Sequence, residues 1–336
     1  MTKIHRSKFV SRPARTAGKL LAALTLALSL SSFGAHAETC QLSQIAAVDL
    51  VEATDGTWLV PVQMNGRAEY MRLALSEPIS LVFEPTADQL KLPRAHLDMG
   101  GGKRLSGGHT ITETGTVSSL SVGAALTRDA VINLVQPPAG SDAREGGMLG
   151  LDFIGHFDVE LDLKHKSLKL FSPQHCPGKV VYWSDAYAQV PADVNDIGEI
   201  LVNMTLDGKQ VSAKIDTLHT RTSMDIADSR RLFGIDRSST GISQASDEES
   251  KGSVSPLYLY PFQALEAGGL TVNHPKIYLR GGMWDIKCDG TAKVVMSNGT
   301  LTCKGGGDLV VGTNLLSALR LYFAFGEKTL YFTAAQ

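Results

Sequence analysis

Between frequent glycines and prolines the chain carries short runs in which Val, Leu, Ile, Tyr and Phe are spaced by polar residues, among them "TWLVPVQM", "SLSVGAAL", "FDVELDL" and "SLKLF". Runs of this length, bounded by turn residues, predict β-strands. Helical spacing is scarce: "EPTADQLKL" (84–92) and "IADSRRLFG" (226–234) are the candidates for a turn or two of helix. The expected fold class is all-β.

The strand pattern occurs twice. "LVPVQMNGRAEYMRLAL" (59–75) lies over "LVNMTLDGKQVSAKIDT" (201–217) at an offset of 142, with Asn65-Gly66 over Asp207-Gly208. Both dipeptides favour the tight turn that joins antiparallel strands. "MLGLDFIGHFDVELDLKHKSLKLF" (148–171) lies over "VVGTNLLSALRLYFAFGEKTLYFT" (310–333) at an offset of 162, and "VSSLSVGAALTRDAVINL" matches "PFQALEAGGLTVNHPKIYL" more loosely between them. An internal repeat is read before a fold is named. It predicts two similar β-barrel-like lobes in tandem, 38–178 and 179–336, joined through a linker at 177–198. The growth of the offset places an insertion in the second lobe at 280–307, and the polar stretch 237–253 reads as a mobile loop.

Composition and charge narrow the setting. Six basic residues, Lys3 to Lys19, precede the apolar run "LLAALTLALSL" and the small residues "AHA" at 35–37. That is the pattern of a secretory signal peptide spanning 1–37, and it predicts a periplasmic or secreted protein. No other stretch approaches the ~20 apolar residues of a membrane helix, so no membrane insertion is expected after cleavage. The whole chain has 32 Lys+Arg against 34 Asp+Glu; residues 1–37 hold six of the basic and none of the acidic ones, leaving 26 against 34, a net charge of −8. This excludes nucleic acid and anionic membranes as expected partners. The four cysteines of an exported chain read as two disulfides, with three pairings open. Cys288 and Cys303 bracket the insertion, which assigns them to one another and leaves Cys40 with Cys176 across the first lobe. None has metal-type spacing, and no cofactor or metal is expected.

The repeat carries a resemblance to the pepsin/retropepsin superfamily of aspartic peptidases over most of residues 38–336. In each lobe of that family a hairpin leads into an Asp-Thr/Ser-Gly loop, a flap follows, and two apolar residues and a glycine then pack beside the loop. Here the last element is Met148-Leu149-Gly150 and Val310-Val311-Gly312. The resemblance implies Asp216 as a candidate catalytic aspartate and Thr217 as its hydroxyl residue. It also implies an interlobe cleft that takes a peptide or protein ligand, and pseudo-twofold symmetry. The chain departs from the pattern at the loop itself, because Leu218 stands in place of the glycine and Ala74-Leu75-Ser76 in place of the whole first triplet.

That departure decides the expected chemistry. Aspartic peptidases share one proton between two carboxylates, one acting as base on water and the other as acid on the carbonyl. With Ala74 opposite Asp216 the pair cannot form, and a lone carboxylate is expected to sit ionised in an ordinary environment. Leu218 adds bulk where a glycine lets the backbone pass closely, which puts the tight loop in question. Glu77 reads as a solvated residue rather than a substitute acid. Asp216, His219 and Ser223 form a triad only if geometry brings them together, and three polar residues in one turn more often satisfy nearby backbone. The glycine-rich 98–110 lacks the context of a phosphate loop and suits a flap or a surface loop. The expected function is an exported, catalytically inactive, aspartic-peptidase-like protein that binds peptide between its lobes. The alternatives are an active endopeptidase using Asp216 with an unidentified second carboxylate, and an envelope structural or assembly factor.

Overall fold

A computed structural model describes residues 41–97, 103–104, 110–250, 253, 256–281, 292–297, 300–305 and 307–336, with backbone alone at 103–104, 110, 292–297 and 300–305. The expected signal peptide and the linkages of Cys40 and Cys288 lie outside these residues. Cys176 is disulfide-bonded.

The described chain is mostly β, as its pattern predicts. Trp58–Met64 and Arg67–Leu73 form one hairpin, and Ile200–Leu206 and Lys209–Ile215 another, in matching register: Met64 faces Arg67 where Leu206 faces Lys209. The turns use the left-handed backbone that Asn-Gly and Asp-Gly tolerate, with φ of 50° and 77° at Asn65 and Gly66, and 45° and 77° at Asp207 and Gly208. Alternate residues turn inward, Ile200, Val202 and Leu206 on one strand and Val211, Ala213 and Ile215 on the next, so the hairpin contributes one apolar face to the core.

Beyond the hairpins the pairings repeat at the same two offsets. Arg72 and Leu73 run parallel to Met148 and Leu149, as Lys214 and Ile215 run parallel to Val310 and Val311. Leu81 lies antiparallel to Met148, as Ser223 does to Val310. Each short strand leads into a helix, Glu84–Leu90 and Ile226–Phe233, where the sequence places its two helical segments. At the base, six strands form one continuous run: Gln44–Asp49, Ser167–Phe171, Asp158–Asp162, Leu319–Ala324, Thr329–Ala334 and Ala188–Val194. Across its middle Val159 faces Phe323 and Leu161 faces Leu321, and a shift of 162 exchanges one pair for the other. Shared strands and a shared apolar interior, from Val60 and Leu73 through Leu161 and Leu321 to Val311, tie the two halves together.

Two segments differ from expectation or refine it. The polar stretch 237–253 has structure of its own, because Ser243–Gln244 pairs with Tyr258 and Leu259, and Asp247–Ser250 forms a helical turn. Its start is a capping box: Ser246 Oγ accepts from Glu249 N at 3.2 Å while Ser246 N donates to Glu249 Oε2 at 3.0 Å. The insertion holds an antiparallel hairpin, Ala292–Ser297 against Thr300–Gly305, in which Cys303 faces Val294.

Candidate functional site

Asp216 follows directly on the inner strand of the second hairpin, and Ala74 stands in the same position after the first. Ala74 N donates to Leu149 O and Asp216 N to Val311 O, both at 3.0 Å. Behind them, Gly150 N donates to Ser80 Oγ at 2.9 Å and Gly312 N to Thr222 Oγ1 at 3.1 Å. Ser80 and Thr222 are oriented in turn by Asp152 Oδ1 and Asn314 Oδ1. Both glycines are required by close approach: a Cβ would fall 2.6 Å from the carbonyl carbon of Ile79 at Gly150, and 2.6 Å from that of Arg221 at Gly312. The apolar-apolar-glycine elements therefore hold the two loops by one design.

The loops meet face to face. Thr217, fully buried, donates its hydroxyl to Leu73 O at 2.7 Å and accepts from Leu75 N at 3.0 Å. Ser76 Oγ donates to Asp216 Oδ1 at 3.0 Å. Leu75, in the place corresponding to Thr217, has no hydroxyl to return the bond, so the clasp is built from one side. Leu218 does not open the tight turn: its N–H donates to Asp216 Oδ1 at 2.8 Å. Its side chain swings across to pack on the cluster of Ala74, Phe83, Ile111 and Met148. An apolar group thus packs on the cluster that contains Ala74.

The expectation of an ordinary environment for Asp216 does not hold. Besides the two donors on Oδ1, its Oδ2 receives His219 Nδ1 at 2.9 Å and lies 3.4 Å from Lys214 Nζ, which also reaches Glu199 Oε1 at 3.3 Å. Burial alone would raise its pKa. The hydrogen bond and charge of His219, the charge of Lys214 and the Leu218 N–H outweigh that and hold the carboxyl well below the usual carboxylate range. It is a fixed anion, unlike a carboxylate poised to exchange a proton in mild acid.

Asp216, Thr217 and His219 are brought together with Ser76 and Lys214, which the local sequence did not single out as partners. Ser223 is not part of this group; it lies in the strand Ser223–Asp225 between Val310 and Tyr278. Of the glycine-rich segment, Lys103 and Arg104 pair with Ile111 and Thr110 as a short hairpin, and the rest lies outside the described residues. Among the described residues no group of three or more His, Cys, Asp or Glu side chains converges to hold a metal ion, and no helix is long and apolar enough to cross a membrane.

No protein-family model matches the chain, and no curated protein is significantly similar to it. Among solved structures it is similar to basic 7S globulin from soybean, with 10% sequence identity and a TM-score of 0.47 over 88% of this chain and 96% of that one.

Proposed function

We propose that the chain is an exported, two-lobed protein of pepsin/retropepsin-like plan, without aspartic peptidase activity, that keeps the cleft between its lobes as a peptide-binding site. The observation that carries this reading is the pair Ala74 and Asp216. The position that needs a second carboxylate is an alanine in the apolar cluster on which Leu218 packs, while the surviving carboxylate has both oxygens engaged, by Ser76 and Leu218 on one and by His219 and Lys214 on the other. A proton-sharing pair requires two carboxyls close together, and peptide hydrolysis without one lacks both its base and its acid.

The lobes in this reading are 38–178 and 179–336, supported by the strand registers that recur at offsets 142 and 162. The disulfides are Cys40–Cys176 and Cys288–Cys303. The protein is delivered by cleavage after residue 37 to the periplasm or the exterior. Thr217 acts as a structural clasp between the loops, and Asp216 as the anion at its centre.

The deciding experiment is incubation of purified protein with an unfolded protein substrate between pH 2 and pH 7, with and without pepstatin. The reading expects no pepstatin-sensitive cleavage at any pH. Cleavage that disappears in Asp216→Asn would overturn it and would require a second carboxylate to be found.

A further inference from the structure

The offsets that relate the two halves also relate two clefts, and these differ. In the second half, the space between the hairpin 264–273 and the turn Thr313–Leu316 is packed by Leu265, Leu270, Val272, Leu315 and Leu319, leaving about 20 Å³. In the first half, between the strand Ala125–Val135 and the turn Leu151–Ile154, a cleft of about 270 Å³ stays open. Its apolar walls are Leu120, Leu126, Val131, Ile132, Phe153 and Phe157, and its polar end holds Asp152 and His156. Phe153 and Phe157 stand 162 positions before Leu315 and Leu319, so corresponding residues close one cleft and line the other. No member of the Asp216 network lines it.

Two independent features adjoin this cleft. Leu126 and Val131 are 47% and 70% exposed, and they are two of the five large hydrophobic side chains exposed among the described residues. Solvent-facing apolar groups gathered at a hole mark a binding surface more than scattered ones do. The strand that carries them is paired with Glu113–Val122 along one edge, but on the other edge only Asn133–Val135 pair, with Leu81–Phe83. Among the described residues no strand pairs with that edge between Leu126 and Ile132. An open strand edge beside an apolar cleft offers an extended peptide main-chain bonds and a hole for a side chain.

The occupant follows from charge and backbone shape. Asp152 Oδ1 is held by Ser80, and Oδ2 receives no hydrogen bond from a described residue, which favours a basic group at that end of the cleft. A second copy of this chain fits poorly as a strand partner. Asp129, at φ 50°, does not pair with Ser118 opposite it, and with Arg128 it sets a kink and two charges in the middle of the edge. Kinks and charges are how edge strands avoid long flat self-pairing. A short segment lying along Ala130–Ile132 escapes both.

We propose that this cleft docks an extended segment of a partner protein, which seats an apolar side chain between Leu126, Val131 and Phe157, bonds along the open edge, and turns a basic side chain to Asp152. The test uses a fluorescein-labelled peptide that alternates threonine with leucine and ends in arginine, titrated with purified protein and read by anisotropy. Val131→Asp, an exposed position whose folding is checked by its melting curve, should weaken binding by about tenfold or more. Backbone N-methylation of the peptide should do the same. Asp152→Asn should erase the preference for this peptide over one ending in glutamate. The proposal is overturned if no saturable binding occurs up to about 1 mM, if Val131→Asp or N-methylation leaves binding unchanged, or if the arginine and glutamate peptides bind wild-type protein equally. It is also overturned if sedimentation finds a dimer that Val131→Asp dissociates, which would assign the face to a second copy.

Discussion

Ser76 donates its hydroxyl to Asp216 at 3.0 Å, linking two loops that lie 140 residues apart in the chain. A carboxylate held this way supports the fold, and its replacement should be read in stability. Asp216→Asn is expected to lower stability at pH 7 by about 1.5–3 kcal/mol, the range for hydrogen bonds to a charged group. Urea unfolding of the two proteins checks it.

The pH dependence of that difference has a fixed sign. The folded pKa of Asp216 lies below its unfolded value, so its contribution is fully present above an unfolded value of about 4 and is lost as pH falls through the folded one. The gap in melting temperature between wild type and Asp216→Asn should narrow as pH falls below about 5. A gap that widens on acidification below about pH 5 would contradict this assignment.

Thr217 is the second support. Thr217→Val keeps the shape but strips the hydroxyl, leaving Leu73 O and Leu75 N without that partner in a buried place. The cost should be about 2–3 kcal/mol, while Thr217→Ser should cost under about 1 kcal/mol. A larger cost for Thr217→Ser than for Thr217→Val would mean the methyl group, not the hydroxyl, matters.

Gly150 and Gly312 test whether the two halves share one packing rule. Alanine at either should destabilise by about 1–3 kcal/mol or more, because its Cβ meets backbone that cannot move aside cheaply. Gly326→Ala, where nothing lies within 4 Å of the added carbon, is the control and should be nearly neutral.

Arg72 occupies the place that Lys214 holds in the other half, but its bonds go elsewhere. It makes paired bonds to Glu145 at 2.8 and 2.6 Å and a third to Asp55 at 2.6 Å. Arg72→Met leaves the buried Glu145 carboxylate without its cation, which should cost about 3–5 kcal/mol. Lys276→Met, which breaks a far more exposed pair with Glu249, should leave stability nearly unchanged. Melting curves of the two variants measure the contrast.

Much of the frame was legible because its signals are local. Asn65-Gly66 and Asp207-Gly208 announce their turns, and the two short helices sit where helical spacing occurs. The capping box at Ser246 and Glu249 was also readable, as a serine followed three residues later by a glutamate, yet the polar composition around it pointed to a loop. The Asp216 environment was not legible. His219 and Lys214 are near in sequence, but only the turn and the strand direction aim them at one oxygen, and Ser76 arrives from a different half of the chain. The cleft at Val131 was hidden for a similar reason: one strand pattern serves both halves, and whether its far edge is covered depends on packing that no single strand encodes.

The one-sided hydroxyl clasp at Thr217 bears on how such a chain can change. In an assembly of two identical subunits every substitution is made twice, so losing the hydroxyl would remove both bonds at once. In a single continuous chain, Thr217 can carry the hydroxyl while Leu75 carries none, and the junction holds from one side. The same freedom reaches the neighbouring position, where one copy holds an anchored anion and the other a methyl group. Asymmetry of this kind is available only to a polypeptide that carries both halves.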